Sequence, residues 1–174
     1  MQREFLGDSY DAVKRLWGDA LLSWAPVYAE PIFIPADLRV DFTRMTRIPM
    51  LGKDRPAAYS VLNDPDTGIF TPDKAQQRIS RSHTSLERIR GQLAETAVRC
   101  AITFDQSNHR KAGRSPRDQR NAKMSWLGER SIRAFYYVSH APFLFACAAE
   151  HTLEEVMVIL ERAGVPRSRM ERCK

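Results

Sequence analysis

Short apolar runs of strand type alternate along this chain with stretches whose apolar residues recur at three and four, and that alternation limits the fold more than any other feature. Tyr10, Val13, Leu16, Trp17, Ala20, Leu21 and Trp24 mark an amphipathic helix with an aromatic buried face, opened by Asp8 or Ser9 as N-cap. Strands are expected over 27–34, 57–62 and 98–104, with Pro31 restricting the first to an edge or a bulge. A short helix is expected over 37–46. Thr84 with Glu87 reads as a capping box, opening a helix with Leu86, Ile89 and Leu93 on one face. A further helix starts near Pro116 and runs to about Leu127. Two aromatic-rich strands, 132–138 and 143–148, are joined by only Ser139-His140-Ala141-Pro142, which requires an antiparallel hairpin. Thr152 with Glu155 reads as a second capping box, for a final helix that stops at Gly164-Val165-Pro166. Helices separating strands predict an α/β domain over 1–174, its mostly parallel sheet covered on both faces and closed by the C-terminal antiparallel hairpin.

Composition agrees with a globular chain: 174 residues, 43% hydrophobic and 28% charged, enough to bury a core without staples. Cys100, Cys147 and Cys173 have no Cys-x-x-Cys spacing, so no disulfide framework or structural zinc site is expected. No apolar run approaches the roughly 20 residues that cross a bilayer, and Met1-Gln2-Arg3-Glu4 does not open a signal peptide; a cytoplasmic location is expected. Lysine and arginine outnumber aspartate and glutamate by 27 to 21. The excess concentrates in 108–123, with six basic side chains against one acid, and in a second tract from Arg162 to Lys174. Such clusters suit nucleic acid, because each neutralised phosphate releases counterions; the alternative is a solvated face and a frayed tail.

In parallel α/β sheets ligands bind beyond the carboxyl ends of the strands, which selects three segments: Gly7-Asp8-Ser9-Tyr10-Asp11, Asn63-Asp64-Pro65-Asp66, and Asp105-Gln106-Ser107. The run Val61-Leu62-Asn63-Asp64-Pro65-Asp66-Thr67-Gly68-Ile69, a helix, Ala101 to Ser107 and a strand hairpin together resemble the catalytic half of class I adenine-N6 methyltransferases, in which a strand ends in an Asp-Pro-Pro-aromatic loop. Gly7-Asp8-Ser9-Tyr10-Asp11-Ala12-Val13-Lys14 is similar to the opening segment of the ribosomal RNA large-subunit members, and to bacterial proteins with Gly-Asp-x-x-Asp-x-x-Lys near the start and Asp-Pro-Asp-x-Gly mid-chain. The resemblance implies a three-layer Rossmann-like fold, S-adenosylmethionine as cofactor, and a nucleic acid or nucleotide as the molecule bound or modified. It casts Asp64, Asp66 and Asp105 as catalytic, and Asp8, Asp11 and Pro65 as cofactor-binding. Lys14, Gln106, Arg110, Arg114, Arg117 and Arg120 become substrate-binding, with Phe70 the candidate ring to stack on a flipped base. After 27–34 the chain offers Pro35-Ala36-Asp37 and no glycine before Gly52, where these enzymes carry a glycine-rich cofactor turn.

Two alternatives use the same residues. Asp8, Asp11, Asp64, Asp66 and Asp105 could converge as hard oxygen ligands on magnesium or manganese for phosphodiester cleavage, assisted by Lys14, His109 and Arg110. A non-catalytic nucleic-acid-binding protein of the same fold needs only the basic segments. His83, His140 and His151 have no metal-ligand spacing, and Trp17, Trp24, Tyr136 and Tyr137 sit at core spacings. Ser107 has no evident His and Asp partners and Gly-x-Ser-x-Gly is absent, which argues against a serine hydrolase.

Overall fold

A computed structural model describes residues 6–107 and 115–173. Helix α1 (Ser9–Leu21) starts where the sequence places it: the Asp8 carboxylate accepts from the amides of Tyr10 (2.8 Å) and Asp11 (3.2 Å). Strand β1 (Val27–Ala29) is shorter than expected, because Pro31 ends it in a 3-10 turn, Pro31–Phe33. A second 3-10 turn and α2 (Arg39–Thr46) fill the 37–46 region, and α2 stops at Arg47 in the left-handed conformation, φ 61°. Strand β2 (Tyr59–Asn63) is followed by two short strands that pair in parallel apart from the main sheet, β3 (Gly68–Ile69) and β4 (His83–Thr84).

Helix α3 (Leu86–Leu93) is capped by Ser85, one residue beyond the expected Thr84, because Thr84 belongs to β4. Strand β5 (Val98–Phe104) has the expected limits, and α4 (Pro116–Gly128) begins on Pro116 behind a Ser115 cap. Strands β6 (Arg133–Tyr137) and β7 (Phe143–Cys147) form the expected antiparallel hairpin. Helix α5 (Glu150–Arg162) differs from expectation at its start: it begins at Glu150 behind Ala149 with no side-chain cap, and Thr152 is buried in its first turn. A last strand, β8 (Met170–Arg172), not expected from the sequence, pairs antiparallel with β6 within the basic C-terminal tract.

The sheet order is β1-β2-β5-β7-β6-β8. Strands β1, β2, β5 and β6 run one way and β7 and β8 the other, so the sheet is mostly parallel in direction, although only the β1–β2 and β2–β5 pairings are parallel. Because successive strand residues face opposite ways, the sheet carries two cores. Trp17, Leu21 and Phe42 from α1 and α2 join Leu62, Ile102, Phe143 and Phe145 and the α5 residues Leu153, Val156 and Leu160 on one face. Leu86, Ile89, Met124 and Leu127 from α3 and α4 join Val61, Ala101, Tyr136 and Leu144 on the other. Among the described residues no helix is long and apolar enough to cross a membrane.

Two arginines of the basic C-terminal tract pair with α5. Arg167 pairs with Glu154 (2.7 Å) and Glu161 (3.1 Å), and Arg172 with Glu150 and Glu154, so these arginines fasten the chain end to α5.

Trp17 anchors the α1 face: it is fully buried and meets Tyr137, Phe143 and Phe145 edge-on, with ring centroids 4.9, 5.9 and 5.2 Å away. Trp17→Ala is expected to cost about 3–5 kcal/mol, comparable with the whole stability of many domains. Denaturant unfolding followed by far-UV circular dichroism checks this; a loss below about 1 kcal/mol would contradict the packing.

Candidate functional site

The Gly-Asp-x-x-Asp-x-x-Lys segment builds one half of the strand-end region. Gly7 adopts φ 81°, which turns its N–H onto the Asp11 carboxylate at 2.8 Å. Asp8 caps α1, and one helical turn brings Asp11 and Lys14 to the same side, where they pair at 2.9 Å. Lys14 then reaches across to Asp64, just beyond the end of β2, at 2.8 Å. Asp11, Lys14 and Asp64 are all buried. Burial alone would lower the Lys14 pKa, but the charges of Asp64 and Asp11 and their hydrogen bonds outweigh it and raise it above the ordinary 10.5.

The Asp-Pro-Asp-Thr-Gly and Asp-Gln-Ser segments build the other half and are stitched together. The Gln106 amide donates to the Thr67 carbonyl (3.0 Å), and the amides of Asp66 and Thr67 donate to the carbonyls of Arg81 and Ser82. Gly68 sits at φ +138°, and a Cβ there would fall 2.1 Å from Asp105 Oδ1, so only glycine lets the backbone pass this carboxylate. Asp105 is fully buried: Oδ1 accepts from the Ile69 amide (3.0 Å) and meets the Ser107 hydroxyl at 2.6 Å, and Oδ2 accepts from Lys123 Nζ (2.7 Å) and Tyr136 Oη (2.7 Å). Lys123 Nζ also lies 2.7 Å from Ser107 Oγ. Burial would raise the Asp105 pKa, yet the Lys123 charge and the hydrogen bonds from Lys123, Ser107 and Ile69 together hold it below 3.8. Lys123 is itself lowered from 10.5, because burial outweighs the attraction of Asp105 and Arg120 adds a like charge.

Between these halves a buried amide network crosses the sheet. Asn63 and Gln92 exchange two hydrogen bonds of 2.9 Å, Asn63 also donates to Thr103 (3.1 Å), and Gln92 reaches Glu30 at 3.3 Å. Glu30, Arg88, Gln92, Arg55 and Tyr59 line a cleft of about 180 Å³ beside α3.

Several expected roles change in this setting. The three carboxylates expected to act together do not converge: Asp64 is held by Lys14 on the α1 face, Asp105 by Lys123 and Tyr136 on the α4 face, and Asp66 is exposed between them. Asp8 caps α1 and is half-buried, Asp11 is buried as a lysine partner, and Pro65 is buried. Lys14 is buried and enclosed in its two ion pairs. Gln106 donates to the Tyr10 hydroxyl (2.7 Å). Arg117 is exposed but near Glu171 (3.4 Å), and Arg120 is buried against the same carboxylate at 2.6 Å. Arg110, Arg114 and His109 lie outside the described residues. Phe70 stacks on His83, centroids 4.6 Å apart and planes 7° from parallel, so its ring already has a partner. Among the described residues no group of three or more His, Cys, Asp or Glu is arranged to hold a metal ion, because the strand-end carboxylates are divided between two lysines. Lys123 and Tyr136 are the site members that sequence reasoning missed; the basic run disguises Lys123, and the strand pattern presents Tyr136 as core, whereas Ser107 was read as part of a strand-end segment without its lysine partner.

Comparison with protein-family models, curated proteins and solved structures gives no match.

Lys14→Met leaves two buried carboxylates facing each other and is expected to cost about 3–5 kcal/mol; Asp64→Asn added to it should recover part of that loss. Urea titration of the single and double variants decides this, and equal stability of Lys14→Met and the native chain would contradict the triad. For Asp105 the folded pKa lies below the unfolded one, so its stabilisation is present above about pH 4 and disappears as pH falls through the folded value. Thermal melts from pH 7 to pH 2 should decline on that limb, and in Asp105→Asn the decline should be shallower.

Proposed function

We propose that this chain is a three-layer Rossmann-like domain of methyltransferase-like form that binds nucleic acid or a nucleotide over the ends of β2 and β5, without transferring a methyl group. The observation that carries this reading is connectivity: the basic run leaves the end of β5 at Ser107 and rejoins the described chain at Ser115, the cap of α4. Arg110, Lys111 and Arg114 fall in sequence between these two points, α/β sheets receive ligands beyond their strand ends, and Arg117 in the first turn of α4 has a side chain that is 55% exposed. The order of strand, Asp-Pro loop, helix, strand and antiparallel hairpin supports the kinship with adenine-N6 methyltransferases.

Methyl transfer itself does not fit the residues present. The carboxylate that would orient an adenine amine belongs to Asp64, which is 5% exposed and bonded to Lys14. The turn after β1 runs from Glu30 through the Pro31–Phe33 3-10 turn, with no glycine to let a cofactor approach the backbone. S-adenosylmethionine is accordingly assigned no role, and a metal-dependent nuclease loses its support with the divergence of the carboxylates.

Fluorescence anisotropy with single-stranded and duplex oligonucleotides tests the reading. Affinity should fall between 50 and 200 mM salt with a log-log slope of about −2 to −4, as expected for three or four phosphate contacts. Replacing Arg110, Arg114 and Arg117 together with glutamate should weaken binding at low salt by at least about tenfold and flatten the slope. Unchanged affinity in that variant would overturn the proposal, and calorimetric binding of S-adenosylmethionine would restore the methyltransferase reading.

A further inference from the structure

We propose that Ser107 is a covalent nucleophile for uncharged esters and that Lys123 is its general base, held in place by Asp105 and Tyr136. This goes beyond the nucleic-acid reading and does not depend on it. The geometry brings nucleophile and base together: Lys123 Nζ donates to Ser107 Oγ at 2.7 Å, and Lys123 is oriented by a carboxylate at 2.7 Å that also accepts from a tyrosine at 2.7 Å, so the neutral amine would be placed to take the serine proton. Lys123 is completely buried, whereas Ser107 is only partly so. Serine–lysine pairs are an established variant of the serine–histidine arrangement.

The remaining contacts of Ser107 bear on its chemistry. Its hydroxyl lies 2.6 Å from Asp105 Oδ1 and 3.0 Å from the Ile69 carbonyl, so the side chain is fixed in one position rather than rotating freely. The adjacent Asp105 charge disfavours a phosphodiester, itself an anion, and leaves a neutral carbonyl carbon unopposed; this selects an ester as the substrate class. Among the described residues, charged or titratable groups facing Lys123 include Asp105 from β5, Tyr136 from β6 and Arg120 from its own helix. Burial and Arg120 favour the neutral amine, the form that can accept a proton.

In the first step Ser107 Oγ forms a bond to the carbonyl carbon while its proton passes to Lys123 Nζ. The bond from that carbon to the leaving oxygen then breaks, and Lys123 returns the proton to the departing alcohol. Water, deprotonated by Lys123, attacks the acyl-serine; the carboxylic acid leaves and Ser107 recovers its proton.

A fluorophosphonate probe tests this directly on the intact chain, since it replaces its fluoride only with an activated serine oxygen. Mass spectrometry should find one adduct, on Ser107, forming faster as pH rises towards the lowered lysine value and absent in Ser107→Ala. Lys123→Met should slow labelling by about 100-fold or more. Should that variant fail to fold, the pH profile of the native protein carries the test, because an unassisted serine gives no ionisation below the ordinary lysine range. Native protein that remains unlabelled at Ser107 up to pH 9, or labels with no such ionisation, or a folded Lys123→Met that labels as fast as native, overturns the proposal.

Discussion

A single ammonium group, that of Lys14, fixes how the first helix meets the sheet. It is bonded to Asp11 one turn earlier in α1 and to Asp64 just beyond β2, all three being buried, so the helix cannot slide or rotate without stranding a charge in the interior. The turn at Gly7, the cap at Asp8 and the position of Trp17 over Phe145 all follow from that register. Lys123 does the equivalent for α4 against β5. The motifs that look like catalytic signatures are in the first place the chemistry that fastens two helices to the carboxyl ends of two neighbouring strands.

Strand parity explains why the aspartates cannot act as one cluster. Asn63 pairs with Thr103 in register, so Asp64 shares a face with Phe104, and Asp105, one residue further, points to the opposite side. An even offset would have placed both carboxylates under the same helix. The odd one gives each its own lysine, and the electrostatic outcomes differ. Lys14 has two acids and is held in its charged form. Lys123 has one acid and an arginine nearby, and is held less tightly.

Much of the fold is legible in the sequence because it rests on local chemistry: the Asp8 cap, Pro116 at the first position of α4, and the four-residue link that forces the β6–β7 hairpin. What misleads is competition between local signals. Thr84 and Thr152 both satisfy the capping-box spacing, but one is consumed by the β3–β4 pairing and the other is buried inside α5. The strand-end location of the acids was also legible, from the turn residues that follow each apolar run. Their partners were not: Lys14 and Asp64 are 50 residues apart, and Asp105, Lys123 and Tyr136 meet only once β5 and β6 lie on either side of β7. Six basic side chains in sixteen positions suggest a uniform cationic face, yet Arg120 and Lys123 point inward to Glu171 and Asp105.

The edges of the sheet carry a separate consequence. An unpaired strand edge is a template on which another chain can add, the first step of ordered aggregation. Here both edges are three residues long. On one side β1 is followed at once by Pro31, and the backbone of Leu51 and Pro49 already bonds to Ala29. On the other, β8 presents Glu171 and Arg172, both committed to ion pairs. Seven of the ten residues in the two central strands of the hairpin are aromatic, alanine, leucine or cysteine and wholly buried, a sequence that would pair readily with copies of itself if exposed. The short, charged and proline-stopped flanks keep that segment inside the sheet, and the length of the edges rather than the depth of the core sets how safely the chain can be concentrated.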